Sequence, residues 1–307
     1  MFYHTPVLVE VVGRYLPIRT DGIYVDGTLG GGGHAESILM KISPRGKLIG
    51  FDLDIDAIEF SQNRLRRFEN KMLYVQGNFS NIKQHLEELG VTGIDGLLLD
   101  LGLSSRQLDD ARRGFSFRDD YRIDMRMNQN QQFDGWKVIN TYDQQKLADI
   151  FWRYGEEKNS RRIARRIVAS RNARPINTTG ELTSAISLSI SQQFLNKTLA
   201  RIFQAIRIEV NNELDNLQKG LRESLELLRV GGRIAVISYH SLEDRIVKEF
   251  FKTESLTLVT SGNKYIPDIH KDARLKVLTK KPVIPTKEAI AINPRARSAK
   301  LRVAERI

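Results

Sequence analysis

The residues best suited to chemistry form a glycine-rich turn from Asp26 to His34, with four consecutive glycines inside it. An apolar run precedes the turn and a helical pattern follows it. Glycine lets the backbone approach a ligand and adopt positive φ, and the start of a helix offers N–H groups to that ligand. Asp52 ends the next apolar run, at the spacing where an acidic residue meets a ribose diol. The pattern predicts a nucleotide-containing cofactor.

The acidic residue at the head of the turn distinguishes two classes of cofactor. Asp26 would repel a pyrophosphate, whereas it would attract the cationic methionine end of S-adenosylmethionine. The chain also lacks the G-x-G-x-x-G motif of dinucleotide-binding dehydrogenases. Both observations favour S-adenosylmethionine as the cofactor and leave a dehydrogenase as the weaker alternative.

Three side chains near the turn are candidates for contact with the cofactor. Asp52 is assigned to the ribose hydroxyls by its spacing from the turn. Phe79, after the third apolar run, either flanks the adenine or is an ordinary core aromatic. His34 either caps the helix after the glycines or contacts the amino-acid end of the cofactor.

The hydrophobic pattern predicts a scaffold of alternating strands and helices around these residues. Short continuous apolar runs are typical of strands buried on both faces of a parallel sheet. The first four predicted strands are Ile23–Asp26, Lys47–Asp52, Met72–Val75 and Ile94–Asp100, with helices over 56–68 and 82–89 between them. The pattern stops between Leu103 and Arg229, where helical periodicity replaces it, including an apolar stripe from Ile202 to Leu228. It resumes with a strand at 231–238, a helix over 242–251 and strands at 275–278 and 300–303.

The composition indicates a polyanionic partner. Lys and Arg number 48 against 37 Asp and Glu, for a net charge of +11. Each phosphate that a basic side chain neutralises releases counterions, although excess charge can also serve solubility. The absence of cysteine excludes disulfides, thiolate catalysis and sulfur-ligated metals. No apolar run approaches the roughly 20 residues of a membrane span, and no signal-peptide pattern opens the chain, so we expect a cytoplasmic protein.

One segment concentrates basic residues without any acid. It contains Lys158, Arg161, Arg162, Arg165, Arg166, Arg171 and Arg174. On a helix, the four arginines between 161 and 166 share one face, and the apolar residues between 163 and 168 share the other. Solvated faces normally mix the two signs of charge, so this one-sign face favours phosphate contact. Arg295 and Arg297 form a second basic region, and Arg126 is expected to contribute from the inserted segment.

The predicted fold is α/β: a doubly wound, Rossmann-like sheet interrupted by an all-helical insert. The sheet domain covers 1–106 and 210–307, and the helical insert covers 107–209.

Several long motifs resemble a known family. They are His4–Leu8, Asp26–His34, Leu99–Ser105, Arg113–Phe117, Asp124–Met127, Ser238–Arg245 and Asn293–Ser298. Together they resemble bacterial ribosomal RNA small-subunit methyltransferase H along the whole chain. The resemblance implies N4-methylation of a cytidine in the decoding region, the P site, of 16S rRNA within the small ribosomal subunit. It also implies a class I methyltransferase fold, with the all-helical insert as the substrate-binding, RNA-recognition domain. By motif it also implies cofactor contacts at Gly32, Gly33, His34, Asp52, Phe79, Asp100 and Gln107.

The chemistry of an exocyclic amino group needs positioning and a hydrogen-bond acceptor. Asp100, at the end of the fourth strand, either accepts a hydrogen bond from the target amino group or binds the amino group of the cofactor. His240, the second catalytic candidate after Asp100, either contacts the target base or has a structural role, and Ser241 is expected to cap the following helix. Phe115, Phe117 and Tyr239 are alternatives for stacking on the base or for the core.

Other functions share parts of this pattern. A DNA or small-molecule methyltransferase would keep the cofactor site and change the acceptor. A non-catalytic RNA-binding assembly factor would keep only the fold. The sequence is compatible with a homodimer and predicts no metal.

Overall fold

A computed structural model describes residues 6–259 and 269–307, so His4 and Thr5 of the first motif lie outside it. The chain divides into two compact units. The sheet unit comprises Met1–Gly102 and Leu214–Ile307, and the helical unit comprises Leu103–Glu213. The boundaries predicted from the sequence, after residues 106 and 209, lie close to these.

Strands of the predicted kind build the sheet unit. They are β1 (Ile23–Asp26), β2 (Lys47–Asp52), β3 (Met72–Gln76), β4 (Ile94–Asp100), β5 (Leu228–Ser238), β8 (Leu275–Val277) and β9 (Lys300–Arg306), while β6 (Leu258–Val259) and β7 (Ile269–His270) form a separate pair. The main sheet has the order β3-β2-β1-β4-β5-β9-β8. Strands β1 to β5 pair in parallel, and β9 runs antiparallel between β5 and β8. The doubly wound architecture is confirmed.

The helices follow in chain order. They are α1 (Val9–Tyr15), α2 (Gly33–Leu39), α3 (Ile55–Arg64), α4 (Ile82–Glu88), α5 (Ser105–Asp109), α6 (Gly135–Thr141), α7 (Gln144–Arg153), α8 (Ser160–Ala173), α9 (Thr179–Ser187), α10 (Gln192–Asn211), α11 (Glu213–Leu227), α12 (Ser241–Glu254) and α13 (Lys287–Ile292). Short 3-10 turns lie at Arg66–Phe68, Phe79–Asn81, Ala111–Arg113 and Pro294–Ser298. None of the helices in the described ranges has the length and apolarity needed to cross a membrane.

Burial on both faces explains why the strands are continuous apolar runs. In β4, the residues from Ile94 to Leu99 are all buried. One apolar core, which includes Leu48, Leu98 and Ile237, covers one face of the sheet, and a second core, which includes Leu97 and Val236, covers the other. A parallel sheet covered on both faces favours apolar side chains on both sides of each strand, so the alternating pattern of a half-exposed strand is absent.

The helical unit has its own core, which includes Phe115, Leu147, Ile163 and Ile206. Between Leu103 and Leu227 the structure contains no strand, as the sequence predicts, apart from an isolated bridge between Arg122 and Thr178.

The apolar stripe from Ile202 to Leu228 is not one helix. Asn212 adopts a left-handed conformation, φ 51°, and ends α10. Asparagine tolerates this conformation better than most residues, because its short polar side chain can bond locally. Helical periodicity continues on both sides of the break, so the pattern alone conceals it.

Candidate functional site

The carboxyl ends of β1, β2 and β4 carry the three predicted carboxylates. These strands are neighbours in the sheet, in the order β2-β1-β4. The chain turns in opposite directions from β1 and β4, and ligands of open α/β sheets bind in the crevice at such a switch point. The same edge continues across β5 and β9. Asp100 of β4 pairs with Ile237 of β5, which pairs with Leu301 of β9.

Asp26 is almost fully buried, with 1% of its surface exposed. Its Oδ1 accepts a hydrogen bond from the N–H of Thr28 at 3.2 Å. Burial raises the pKa of Asp26 to about 7, although the hydrogen bond from Thr28 lowers it. The charges of Asp100 and Asp52 raise this pKa as well. A carboxylate in this position gains from a cationic partner, which is what the sequence argument requires of the cofactor.

Asp52 fixes the conformation of the glycine turn. One carboxylate oxygen accepts from the N–H of Gly30 at 2.8 Å, and the other accepts from the N–H of Asp54 at 2.9 Å. Burial raises the pKa of Asp52 to about 6, although both hydrogen bonds oppose the rise. The side chain is only partly covered, so its oxygens can also accept hydrogen bonds from ribose hydroxyls.

Asp100 lies within a small network. Its N–H donates to Thr28 Oγ1 at 2.6 Å, and its Oδ1 accepts from the Tyr239 hydroxyl at 2.8 Å. Its Oδ2 lies 3.7 Å from His34 Nε2. Burial raises the pKa of Asp100 to about 7, the Tyr239 hydrogen bond lowers it, and the charge of Glu243 raises it. Burial and the Asp100 charge raise the pKa of Tyr239, so the phenol stays protonated and donates.

The glycine turn leads directly into α2. Gly32 has φ 72° and is the N-cap of this helix, a conformation that glycine adopts without a Cβ penalty. At Gly33 a Cβ would lie 2.7 Å from Pro6 Cγ, so this glycine is needed for packing. His34 is buried within the first turn, so its predicted alternative as the cap is wrong, and its ring faces Asp100 instead.

Phe79 begins the 3-10 turn after β3 and is partly buried. A Cβ at Gly220 of α11 would lie 2.5 Å from the Phe79 ring, and one at Gly27 would lie 3.1 Å from Phe79 Cβ. The two glycines therefore make room for this side chain. The packing supports a structural role at the site, and the contact with adenine stays a prediction.

His240 is the N-cap of α12, so the prediction that Ser241 caps this helix is wrong. The His240 ring accepts from the N–H of Glu243, and the Glu243 carboxylate accepts from the N–H of His240, which completes a capping box. Glu243 Oε2 also accepts from the N–H of Tyr239 at 2.8 Å. This network holds Tyr239 against Asp100, and the catalytic role of His240 stays a prediction.

Gln107 belongs to the helical unit. Its side-chain oxygen accepts from the N–H of Ser104 at 3.1 Å and so closes a capping box at the start of α5. The two stacking candidates of this unit are also held by packing: Phe115 is a core residue, and Phe117 packs edge-on against Phe203. A cofactor contact of Gln107 stays a prediction.

Helix α8 has the two faces that the sequence predicts. The predicted basic face, Arg161, Arg162, Arg165 and Arg166, is exposed, while Ile163, Ala164 and Ile167 are buried. Two other arginines of the basic run have internal partners. Arg171 donates to the carbonyls of Ile139 and Tyr142, and Arg174 pairs with Glu181.

The predicted RNA contact of Arg126 does not fit its surroundings. Its guanidinium pairs with Asp124 at 2.7 Å and also donates to the carbonyls of Gln129 and Gln131. An arginine that ties its own loop together in this way has little capacity for phosphate. Arg295 and Arg297, in contrast, are exposed on the 3-10 turn before β9.

Two contacts at the site were not predicted from the sequence, which gave Thr28 no role and considered Tyr239 only for stacking on the base or for the core. Thr28 links the turn to Asp100, and the hydroxyl of Tyr239 contacts the same carboxylate. The position of Tyr239 directly after a buried strand was a usable signal, since the carboxyl ends of parallel strands meet at one edge.

The fold and the site together define a methyltransferase of the Rossmann-like class. The defining features are the doubly wound sheet with its antiparallel β9, the glycine turn after β1, and the acidic residues at the ends of β1, β2 and β4. The MraW methylase family matches residues 1–307, and the chain belongs to this family. The predicted cofactor, S-adenosylmethionine, agrees with membership of a methylase family.

Curated relatives match over the full length. Proteins named Ribosomal RNA small subunit methyltransferase H are 48% identical in Clostridium botulinum (strain Loch Maree) and 45% identical in Clostridioides difficile, over 100% of this chain and 99% of each relative. The relative from Caldicellulosiruptor bescii is 48% identical over 100% of both chains. The predicted family is thus confirmed.

Two solved structures are similar at low identity. A putative rRNA methylase from Clostridium thermocellum has a TM-score of 0.47 at 13% identity, covering 97% of this chain and 95% of the other. A putative methyltransferase from Streptococcus mutans, in complex with SAH, has a TM-score of 0.44 at 12% identity with the same coverage.

Proposed function

We propose that the protein transfers a methyl group from S-adenosylmethionine to the exocyclic N4 of a cytidine in the decoding region, the P site, of 16S rRNA. The observation that carries this proposal is the cluster of Asp26, Asp52 and Asp100 at the switch point of the sheet. The names of the full-length relatives support an RNA of the small ribosomal subunit as the substrate. The protein would then act in the cytoplasm on that subunit, and a homodimer stays a prediction.

The residues fit S-adenosylmethionine by their chemistry. Burial raises the pKa of all three carboxylates, so their ionised forms are destabilised in the ligand-free site. A ligand with one end cationic and a ribose diol further along supplies both a counter-charge and hydrogen-bond donors. Asp26 and Asp100 suit the cationic end, and Asp52 suits the diol.

Positioning is the main task of the site. The nitrogen of the cytosine amino group is a weak nucleophile, because its lone pair is conjugated with the ring. Holding it in line with a methyl donor removes most of the entropic cost of the encounter. The bound cofactor would supply an electrophilic methyl on a sulfonium, and the chain would supply the alignment.

Asp100 is the group that we assign to the amino protons. Tyr239 occupies its Oδ1, which leaves Oδ2 to accept a hydrogen bond from an amino group. This bond polarises N–H so that electron density shifts toward nitrogen, which raises the nucleophilicity of nitrogen as it becomes tetrahedral. The alternative in which Asp100 binds only the amino group of the cofactor uses the same oxygen.

Phosphate contact is assigned to two basic surfaces. The basic face of α8, Arg161, Arg162, Arg165 and Arg166, is exposed in the helical unit, and Arg295 with Arg297 is exposed in the sheet unit. The target base must leave its stack to bring N4 to the donor, as base-modifying enzymes generally require. Contacts to the flanking phosphates hold the strand while this happens.

The deciding experiment offers the protein three acceptors with labelled S-adenosylmethionine. These are small subunits from a strain that lacks the enzyme, naked 16S rRNA, and DNA. We expect the label on N4 of one cytidine in the subunit. Label on DNA or on a ring carbon would contradict the proposal, and binding to subunits without transfer would indicate an assembly factor.

A further inference from the structure

The last segment before β9 forms a closed loop at the carboxyl edge of the sheet. This edge loop comprises residues 284–299. Val283 and Leu301 exchange two backbone hydrogen bonds at its base, at 2.9 and 2.8 Å. Leu301 lies in the same row of the sheet as Asp100, two strands away. At about 4.8 Å per strand, the base of the loop is about 10 Å from the Asp100 backbone.

The edge loop is anchored on the face of the sheet that carries the glycine turn. Ala296 and Ala299 are buried in the same apolar core as Leu29 of the turn, and Tyr239 packs against that core. Thr286 caps α13, and the Asn293 side chain accepts from the N–H of Arg295 at the start of the following 3-10 turn. These contacts fix the conformation of the loop and leave Ile292 exposed.

The tip presents an apolar side chain among basic ones. Ile292 is 81% exposed, more than any other large apolar residue in the described ranges. Arg295 and Arg297 follow it and are exposed. A single exposed apolar residue needs no explanation by itself. Here it lies on a loop whose base is in the same row of the sheet as Asp100, beside cationic groups that suit phosphates, and this combination favours an RNA-facing role.

We propose that Ile292 is a wedge that enters the rRNA stack next to the target cytidine and holds the base out. This inference rests on the proposed function. Nucleic-acid-binding proteins insert isoleucine, leucine or phenylalanine between base steps to unstack them, and basic side chains hold the neighbouring phosphates. Extruding a base costs unstacking energy, which the wedge offsets by covering the exposed faces of its neighbours. Arg295 and Arg297 bind the phosphates that flank the wedge.

The test compares Ile292→Ser with the control Val230→Ser. Val230 is also an exposed apolar residue, with 73% of its surface exposed, but it lies near the start of β5, away from the carboxyl edge of the sheet. Each variant is given two RNAs: a structured 16S fragment with the target cytidine stacked, and a short unstructured strand with the same flanking sequence. A 2-aminopurine next to the target reports unstacking by its fluorescence. Methyl transfer and S-adenosylmethionine affinity are measured for each protein.

We expect Ile292→Ser to lower transfer to the structured RNA by about tenfold or more and to suppress the rise in fluorescence. On the unstructured strand it should stay within about twofold of wild type, as should its cofactor affinity and every property of Val230→Ser. Equal losses on both RNAs, or none on either, would overturn the wedge. If the wild type binds RNA but transfers no methyl to these RNAs or to small ribosomal subunits, the proposed function fails, and the fluorescence change still decides whether Ile292 unstacks the base.

Discussion

Removing the Tyr239 hydroxyl should shift the pH dependence of the enzyme to higher pH. The hydroxyl donates to Asp100 at 2.8 Å and favours the ionised carboxylate. Tyr239→Phe removes this donor and leaves the ring in place. Because a lost hydrogen bond to the charged form disfavours that form, the pKa of Asp100 should rise from its value of about 7.

The size of the shift follows from the strength of the bond. A hydrogen bond to a charged group contributes about 1.5–3 kcal/mol, and one pKa unit corresponds to about 1.4 kcal/mol. We therefore expect a rise of about one to two units. At pH 7.5 a group with a pKa of about 7 is about three-quarters ionised, and one with a pKa of about 8 to 9 is about one-quarter to one-thirtieth ionised. Activity at pH 7.5 should fall roughly 3- to 25-fold and recover as the pH rises.

The assay is the pH profile of kcat/KM for methyl transfer, which reports groups of the free enzyme. Asp26, Asp52 and Asp100 are coupled, so the acidic limb belongs to the cluster, and the difference between variant and wild type isolates the Tyr239 contribution. Tyr74→Phe is the matched control, since the Tyr74 hydroxyl donates at 3.4 Å to the carbonyl of Ser61, outside this network. A Tyr239→Phe profile lowered equally at all pH values, or identical to wild type, would refute the reasoning.

Three further predictions test other parts of the site. Asp52→Ala should weaken S-adenosylmethionine binding at least tenfold by calorimetry, while the exposed Glu59→Ala should not; an unchanged affinity would refute the ribose assignment. Asp26→Asn should stabilise the ligand-free protein at pH 8 while weakening cofactor binding. The pKa of Asp26 is about 7 in the folded protein and about 3.9 in the unfolded chain. Ionisation of Asp26 therefore destabilises the folded protein increasingly from pH 4 to pH 7, by up to about 4 kcal/mol. In urea unfolding at pH 5 and pH 8, Asp26→Asn should raise the free energy of unfolding more at pH 8. Reversing Arg161, Arg162, Arg165 and Arg166 to Glu should weaken RNA binding more than tenfold and flatten its salt slope by up to about four, whereas reversing the exposed Arg45 should do neither; an unaltered slope would mean that the α8 face is only solvated.

The sequence alone determined the sheet and the place of the site. The strands β1, β2 and β4 have the bounds that their apolar runs predict, because burial on both faces requires an unbroken apolar run. The glycine turn and the carboxylates at the strand ends followed from the same pattern, since topology brings the carboxyl ends of parallel strands to one edge. The exposed face of α8 was also predictable, because helical spacing separates its arginines from its apolar residues.

The tertiary structure decided which partner each polar side chain has. Asp100 and Tyr239 are 139 residues apart, and only the pairing of β4 with β5 brings the hydroxyl to the carboxylate. The same holds for Arg126, whose type suggested phosphate and whose loop uses it internally. His240 caps α12, a role that the sequence assigned to Ser241, and its catalytic role stays a prediction. Local periodicity depends on nearest neighbours along the chain, whereas hydrogen bonds and ion pairs depend on which distant segments packing brings together, and a single sequence does not contain that information in readable form.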